Sequence, residues 1–174
     1  MANPTLIPDP TCLPLLQLEA EGKVITVTVK TTAPEARCPL CDSRSAQVHS
    51  RYRRVPADLP WMGYAVRLEL NTRRFFCQNP DGQRKIFTER LPSVVAPSAR
   101  RTIRLEDLFT LIGFALGGEA GKRLVEGMGL AINPATLLRL IRTTPDQPFS
   151  PPRVLGGDDF SFCKRKTDGT ILID

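Results

Sequence analysis

The sequence predicts an α+β chain of several modules: a small antiparallel β module, a helical bundle, and a closing β-hairpin. Three observations predict it. Apolar and polar residues alternate with period 2 through residues 23–31, 46–55 and 64–71. Beyond residue 99 the period changes to 3.6. After a stretch holding Pro145, Pro148, Pro151 and Pro152, short strand-like runs return.

Residues 1–20 are Pro-rich and read as irregular, with one short apolar run from Leu13 to Leu18. In 23–31, Ile25, Val27 and Val29 share one face, so this is a strand with one buried side. Pro34 ends it and leads into Cys38-Pro39-Leu40-Cys41, a Cys-x-x-Cys knuckle. Residues 46–55 form the next strand, with Val48, Ser50, Tyr52 and Arg54 opposite Gln47, His49, Arg51 and Arg53. Pro56 and Pro60 break the chain, and Trp61-Met62-Gly63 turns it. Tyr64, Val66, Leu68 and Leu70 then alternate most cleanly of all and deliver the chain to Arg73-Arg74-Phe75-Phe76-Cys77. A turn at Asn79–Gly82 and a short returning strand at Lys85–Thr88 close the β module.

Leu91–Ser98 is a Pro-containing connector. Leu105, Leu108, Phe109, Ile112, Ala115 and Leu116 lie on one helical face, and Gly117-Gly118 stops that helix. A second helix spans Glu119 to Met128, with Ala120, Leu124, Val125 and Met128 inward. Asn133 is a good N-cap and Pro134 a good first helical residue for a third helix reaching Thr143. In it Leu137, Leu138 and Ile141 face the core, and Thr136, Arg139, Arg142 and Thr143 lie on or near the other side. A helix, a turn through Gly and a capped, basic helix form a helix-turn-helix pattern. Residues 153–162 and 170–173 read as two strands turning at Asp168-Gly169. The resulting segments are 1–36, an extension with one strand; 37–92, the basic β module; 99–144, the helix-turn-helix; 145–152, a linker; and 153–174, the hairpin.

Charge is concentrated. The chain carries +6, yet residues 37–104 alone hold fourteen Lys/Arg against five Asp/Glu, thirteen of the fourteen being Arg. Arginine binds phosphate bidentately and stacks on bases, which points to a polyanion such as double-stranded DNA. Candidate contacts are Arg51, Arg53, Arg54, Arg73 and Arg74 in the β module, Lys122 and Arg123 on the second helix, and Thr136, Arg139 and Arg142 on the third. No stretch approaches the roughly 20 apolar residues that span a bilayer. Residues 1–14 lack a basic start and are broken by prolines, so no signal peptide is expected. The reading is a cytoplasmic, nucleoid-associated protein without membrane partners. An odd count of five cysteines argues against a disulfide framework. Cys38, Cys41 and Cys77 read as zinc ligands, and Cys12 and Cys163 as idle thiols. The single histidine, His49, has no serine-centred elbow near it and argues against a nucleophilic hydrolase.

Several stretches resemble one family: Cys38–Cys41, His49–Arg54, Asp58-Leu59-Pro60, Arg73–Cys77, Ile86–Pro92, Thr136–Arg139, Val154–Phe160 and Gly169–Asp174. In this order they are similar to the ISL-three insertion-sequence transposases. The resemblance implies a zinc-finger-like module and a helix-turn-helix that bind terminal inverted repeats. It also implies the start of a ribonuclease-H-like domain, in which three carboxylates hold two magnesium ions. Asp158 matches the first of those acids, with Asp159 its neighbour and second choice. Gly82 stands where the family has its fourth cysteine. His49 is then the remaining candidate to complete the zinc set, the alternatives being that its place in the alternating strand points it to solvent or DNA and that the module is held by its β core alone. With two catalytic acids lacking after Asp158, the expectation is a truncated transposase that does not transpose DNA by itself. Alternatives are a regulator competing with full-length transposase, or half of a split enzyme. Expected partners are the terminal repeats and self or full-length transposase.

Overall fold

The computed structural model describes residues 7–145, 156–163 and 167–173. The chain divides into two compact units, 1–144 and 145–174.

The first unit is organised around one strand. In chain order it contains β1 (Leu15–Glu21), β2 (Val24–Lys30), β3 (Ala36–Arg37), β4 (Arg44–Ser45), β5 (Val48–Arg54), β6 (Ala57–Trp61), β7 (Tyr64–Phe76) and β8 (Ile86–Thr88). The 13-residue β7 pairs in parallel with β2 and antiparallel with β5, β6 and β8. β1 adds antiparallel to β2, so the sheet runs β1-β2-β7-β5 with β5 at an edge. The strict alternation of β2 and β7 explains the core. Ile25, Val27 and Val29 meet Val66, Leu68 and Leu70, and Leu13, Val94 and Val95 cover them. Each such side chain contributes about 2 kcal/mol on burial. This cluster is the largest of the three in the unit, with nine buried side chains against six and three.

Two strands of the six-stranded sheet go beyond the sequence expectation, as does the short β3–β4 pair. Residues 15–21 form β1 rather than an irregular run; every residue in it is exposed, so no buried face marked it in the sequence. Residues 57–61 form β6 although Pro56 and Pro60 flank and interrupt it. The β6–β7 register shifts between Asp58 and Trp61, so Pro60 falls where the ladder needs no N–H. The sheet also crosses the expected boundary at residue 36, because β2 pairs with β7 along its whole length.

The helices follow. α1 spans Ile103–Gly127 and is broken at Gly117, whose φ of 70° and ψ of −157° are non-helical. The expected stop is therefore a bend between two helical arms. α2 spans Pro134–Thr143; the Asn133 side chain accepts a hydrogen bond from the Ala135 N–H at 2.8 Å, and Pro134 is its first residue, as expected. Leu105, Phe109, Ile112, Val125, Leu137 and Leu140 form the helical core. Leu140, not Leu138, is buried in α2, while Ile141 is half-buried. Leu116 and Leu124 are exposed. A backbone reversal at Gly117 re-aims the next arm, so a single apolar stripe does not carry across it.

The second unit is a hairpin of β9 (Gly156–Cys163) and β10 (Thr167–Ile173), paired antiparallel. Asp168 and Gly169 lie inside β10, opposite Ser161 and Phe160, instead of forming the turn. They sit beside a register shift at Thr167, where Asp-Gly marks an irregularity and not the reversal. The linker 146–155, the residue Asp174 and the side chains of Asp158, Asp159 and Cys163 lie outside the described residues. Among the described residues, no helix is long and apolar enough to cross a membrane.

Candidate metal centre and nucleic-acid interface

The knuckle is built by a two-residue ladder. β3 and β4 pair Ala36 with Ser45 and Arg37 with Arg44, closing the chain around residues 38–43. Inside it the Cys38 N–H donates to the Ser43 carbonyl at 2.9 Å, and the Asp42 N–H donates to the Cys38 carbonyl at 2.9 Å. Asp42 takes the left-handed turn at φ 56°, a conformation Asp tolerates better than most residues. The third thiol arrives from the end of β7. The Phe76 N–H donates to Gln47 and the Cys77 N–H to Lys85, which fixes Cys77 opposite the knuckle. Stacked Phe75 and Phe87 pack with buried Cys38 beneath this platform.

The sulfurs of Cys38, Cys41 and Cys77 all lie within 4.8 Å of one another, with Cys41 and Cys77 at 3.5 Å. Thiolates on a tetrahedral zinc with bonds of about 2.3 Å stand about 3.8 Å apart, so the three positions fit that ion. Ser43, which the sequence reading passed over, bridges two of them: its Oγ lies 3.1 Å from Cys41 Sγ and 3.5 Å from Cys77 Sγ. A hydroxyl two residues after a Cys-x-x-Cys was the available signal. Hydrogen bonding from the Ser43 side chain, and next its backbone, lowers the Cys41 thiol to about 6. Burial pushes the Cys38 thiol up.

His49 is not in this cluster. It is the extra residue of a bulge in β5, where Val48 and Ser50 face the adjacent Phe75 and Arg74 of β7. Its ring stands edge-on to Phe76 at 4.9 Å, and Nδ1 lies 2.9 Å from Ser50 Oγ. Gly82 does line the thiol site, with Leu40, Gln83 and Arg84, around a cavity of about 280 Å³.

The arginines separate into two sets. Arg51 and Arg53 are exposed and share one face of edge strand β5, while the bulge at His49 breaks the alternation and leaves its exposed ring against Phe76. Arg53 is 65% exposed and reaches Glu69 at 3.3 Å. Arg74 is exposed and lies 4.8 Å over the Tyr52 ring. Arg139 and Arg142 are exposed on α2, with Thr136 half-buried beside them. Arg123 is exposed, and Lys122 pairs with Glu126 at 3.7 Å along the same helix.

The second set is engaged internally. Arg73 is only 14% exposed and pairs with buried Glu89 at 2.9 Å. It also donates to the Ala33 carbonyl at 2.7 Å, while Glu89 accepts the Arg73 backbone N–H at 2.6 Å and the Thr31 hydroxyl at 2.9 Å. Arg54 donates to the Ala99 carbonyl at 2.9 Å and ties down the connector. Arg104, which the reading did not single out, pairs with fully buried Asp58; its Nε lies 2.8 Å from Oδ1. Asp58 also accepts the hydroxyl of Thr102, the residue that caps α1. Asp58 and Glu89 thus stand in the motif stretches for fold reasons.

Comparison with known proteins agrees with this geometry. The family described as the zinc-finger of transposase IS204/IS1001/IS1096/IS1165 matches residues 34–79, the span that holds all three clustered thiols. The chain is 27% identical over 156 residues to a transposase for insertion sequence element IS1001 from Bordetella parapertussis. That alignment covers 90% of this chain and 37% of the relative, so the chain spans little more than a third of the relative's length. No solved structure matches it.

Proposed function

We propose, from the premise that residues 34–79 belong to the zinc-finger family of ISL-three insertion-sequence transposases, that this chain is a DNA-binding part of such a transposase and recognises terminal inverted repeats. The observation that carries the reading is the pair Arg51 and Arg53, exposed on one face of edge strand β5. An edge strand with alternate cationic side chains can track a phosphate backbone without disturbing the core. Arg74 lies on the opposite face of the sheet, paired with Ser50 and stacked over Tyr52, and adds a separate exposed charge. The exposed face of α2 then supplies base contacts: Arg139 and Arg142 suit guanine edges, and Thr136 either base type. Zinc, held by Cys38, Cys41 and Cys77, ties the knuckle to the end of β7. Asp158 is assigned as the first carboxylate of a magnesium site that further carboxylates must complete.

The test is a binding titration with the element's terminal repeats and with random duplex of equal length, across salt. Tighter binding to the repeats, with a steep fall as salt rises, is expected. Equal affinity for both duplexes with a shallow salt slope would falsify the reading.

A further inference from the structure

The three sulfurs lie within 4.8 Å of one another, close enough to serve as three corners of a tetrahedral site, and a cavity lined by Leu40, Gly82, Gln83 and Arg84 adjoins them. Among the described residues, no other Cys, His, Asp or Glu joins the cluster. Ser43 is already engaged with two of the sulfurs, and a neutral hydroxyl in that position donates hydrogen bonds to thiolates and is a weak zinc ligand. The rest of the rim is Leu40, Gly82, Gln83 and Arg84 around the cavity of about 280 Å³. That space accommodates a small molecule, and Arg84 gives its wall a positive charge.

Resting on the zinc reading above, we propose that the centre is a three-thiolate site whose fourth coordination position faces this cavity and takes a small exogenous thiolate. Three observations support that ligand class. A soft donor matches the three sulfurs already present. Arg84 offsets the extra negative charge. Gly82 presents no side chain to the space, and its turn is held by its own N–H donating to the Asn79 carbonyl at 3.2 Å. A site of this kind exchanges its fourth ligand, in contrast to a closed four-cysteine clamp, which has none to exchange.

Cobalt substitution tests it on the full chain under anaerobic conditions. Thiolate-to-cobalt charge-transfer absorption scales with the number of sulfur ligands. Addition of 2-mercaptoethanol to the one-to-one cobalt protein is expected to raise that absorption by about a third, from three sulfurs to four. Gly82 lies outside the left-handed region, and the three atoms nearest a Cβ there all belong to Asn79, the closest being its carbonyl oxygen at 3.2 Å, so Gly82→Cys requires that turn to give by a few tenths of an ångström. That variant is expected to show the higher absorption without added thiol and to lose the response. A wild-type spectrum that does not change on adding thiol overturns the proposal while leaving metal binding intact. Failure of cobalt and zinc to bind at all overturns the metal reading and this inference together.

Discussion

Arg51 and Arg53 on β5 and the pair Arg73 and Arg104 are the same residue type in the same basic stretch, yet they do opposite work. Arg73 and Arg104 each meet a buried carboxylate, Glu89 and Asp58, and each acid accepts further hydrogen bonds from Thr31 or Thr102. Removing one partner from such a site leaves a charge without compensation in a low dielectric, at a cost of about 3–5 kcal/mol. Arg51 and Arg53 stand in solvent on an edge strand, where an ion pair such as Arg53–Glu69 contributes about 0–1 kcal/mol. Arginine density alone therefore does not locate a nucleic-acid surface. The location of the acids does.

Substitutions can break this contrast. Asp58→Ala is expected to have the largest effect, a loss of about 3–5 kcal/mol in urea unfolding, because it removes the buried acceptor of both Arg104 and the α1 cap residue Thr102. Arg73→Ala follows, with about 3 kcal/mol lost and a salt slope for DNA binding that stays at the wild-type value under conditions where the variant is folded. A changed slope in folded Arg73→Ala would place its guanidinium on DNA and erase the distinction drawn here. Gly129→Ala comes next. Gly129 has φ 83°, and a Cβ there would lie 2.6 Å from the Gly63 carbonyl oxygen, so the turn before α2 must move off the β6–β7 tip. About 1–3 kcal/mol is expected by thermal unfolding.

The exposed set should respond in the reverse way. The double substitution Arg51→Ala and Arg53→Ala is expected to leave stability within about 1 kcal/mol. It should reduce the slope of log affinity against log salt by about 2, since each phosphate contact contributes about 0.9. The smallest effect concerns the thiols. In metal-free protein, Cys41 should be alkylated ahead of buried Cys38, with its rate rising as pH increases through about 6. The sign follows from the lowered value: the folded chain favours the Cys41 thiolate, so the associated stabilisation is present above the ordinary thiol range and is lost as pH falls through about 6. Mass mapping of carbamidomethylated peptides reads out the order.

Much of the architecture was legible from period and caps. β2, β5, β7 and α2 follow from alternation and from Asn133-Pro134, because one-sided burial writes itself directly into sequence. β1 was not legible, since a strand exposed on every residue carries no such pattern. The three zinc-type thiols were readable from spacing, but their exclusion of His49 was not. One extra residue in β5 changes which residues face β7, and that bulge is settled by pairing with the neighbouring strand.

The sequence by itself determined strands β2, β5 and β7, helix α2, the spacing of the three thiols and the concentration of arginine, because local periodicity and residue chemistry are properties of the chain alone. The tertiary structure decided which arginines are free to meet a polyanion and which hold the sheet to the helices. That division depends on where Asp58 and Glu89 are buried, which is set by partners 16 and 46 residues away in the chain.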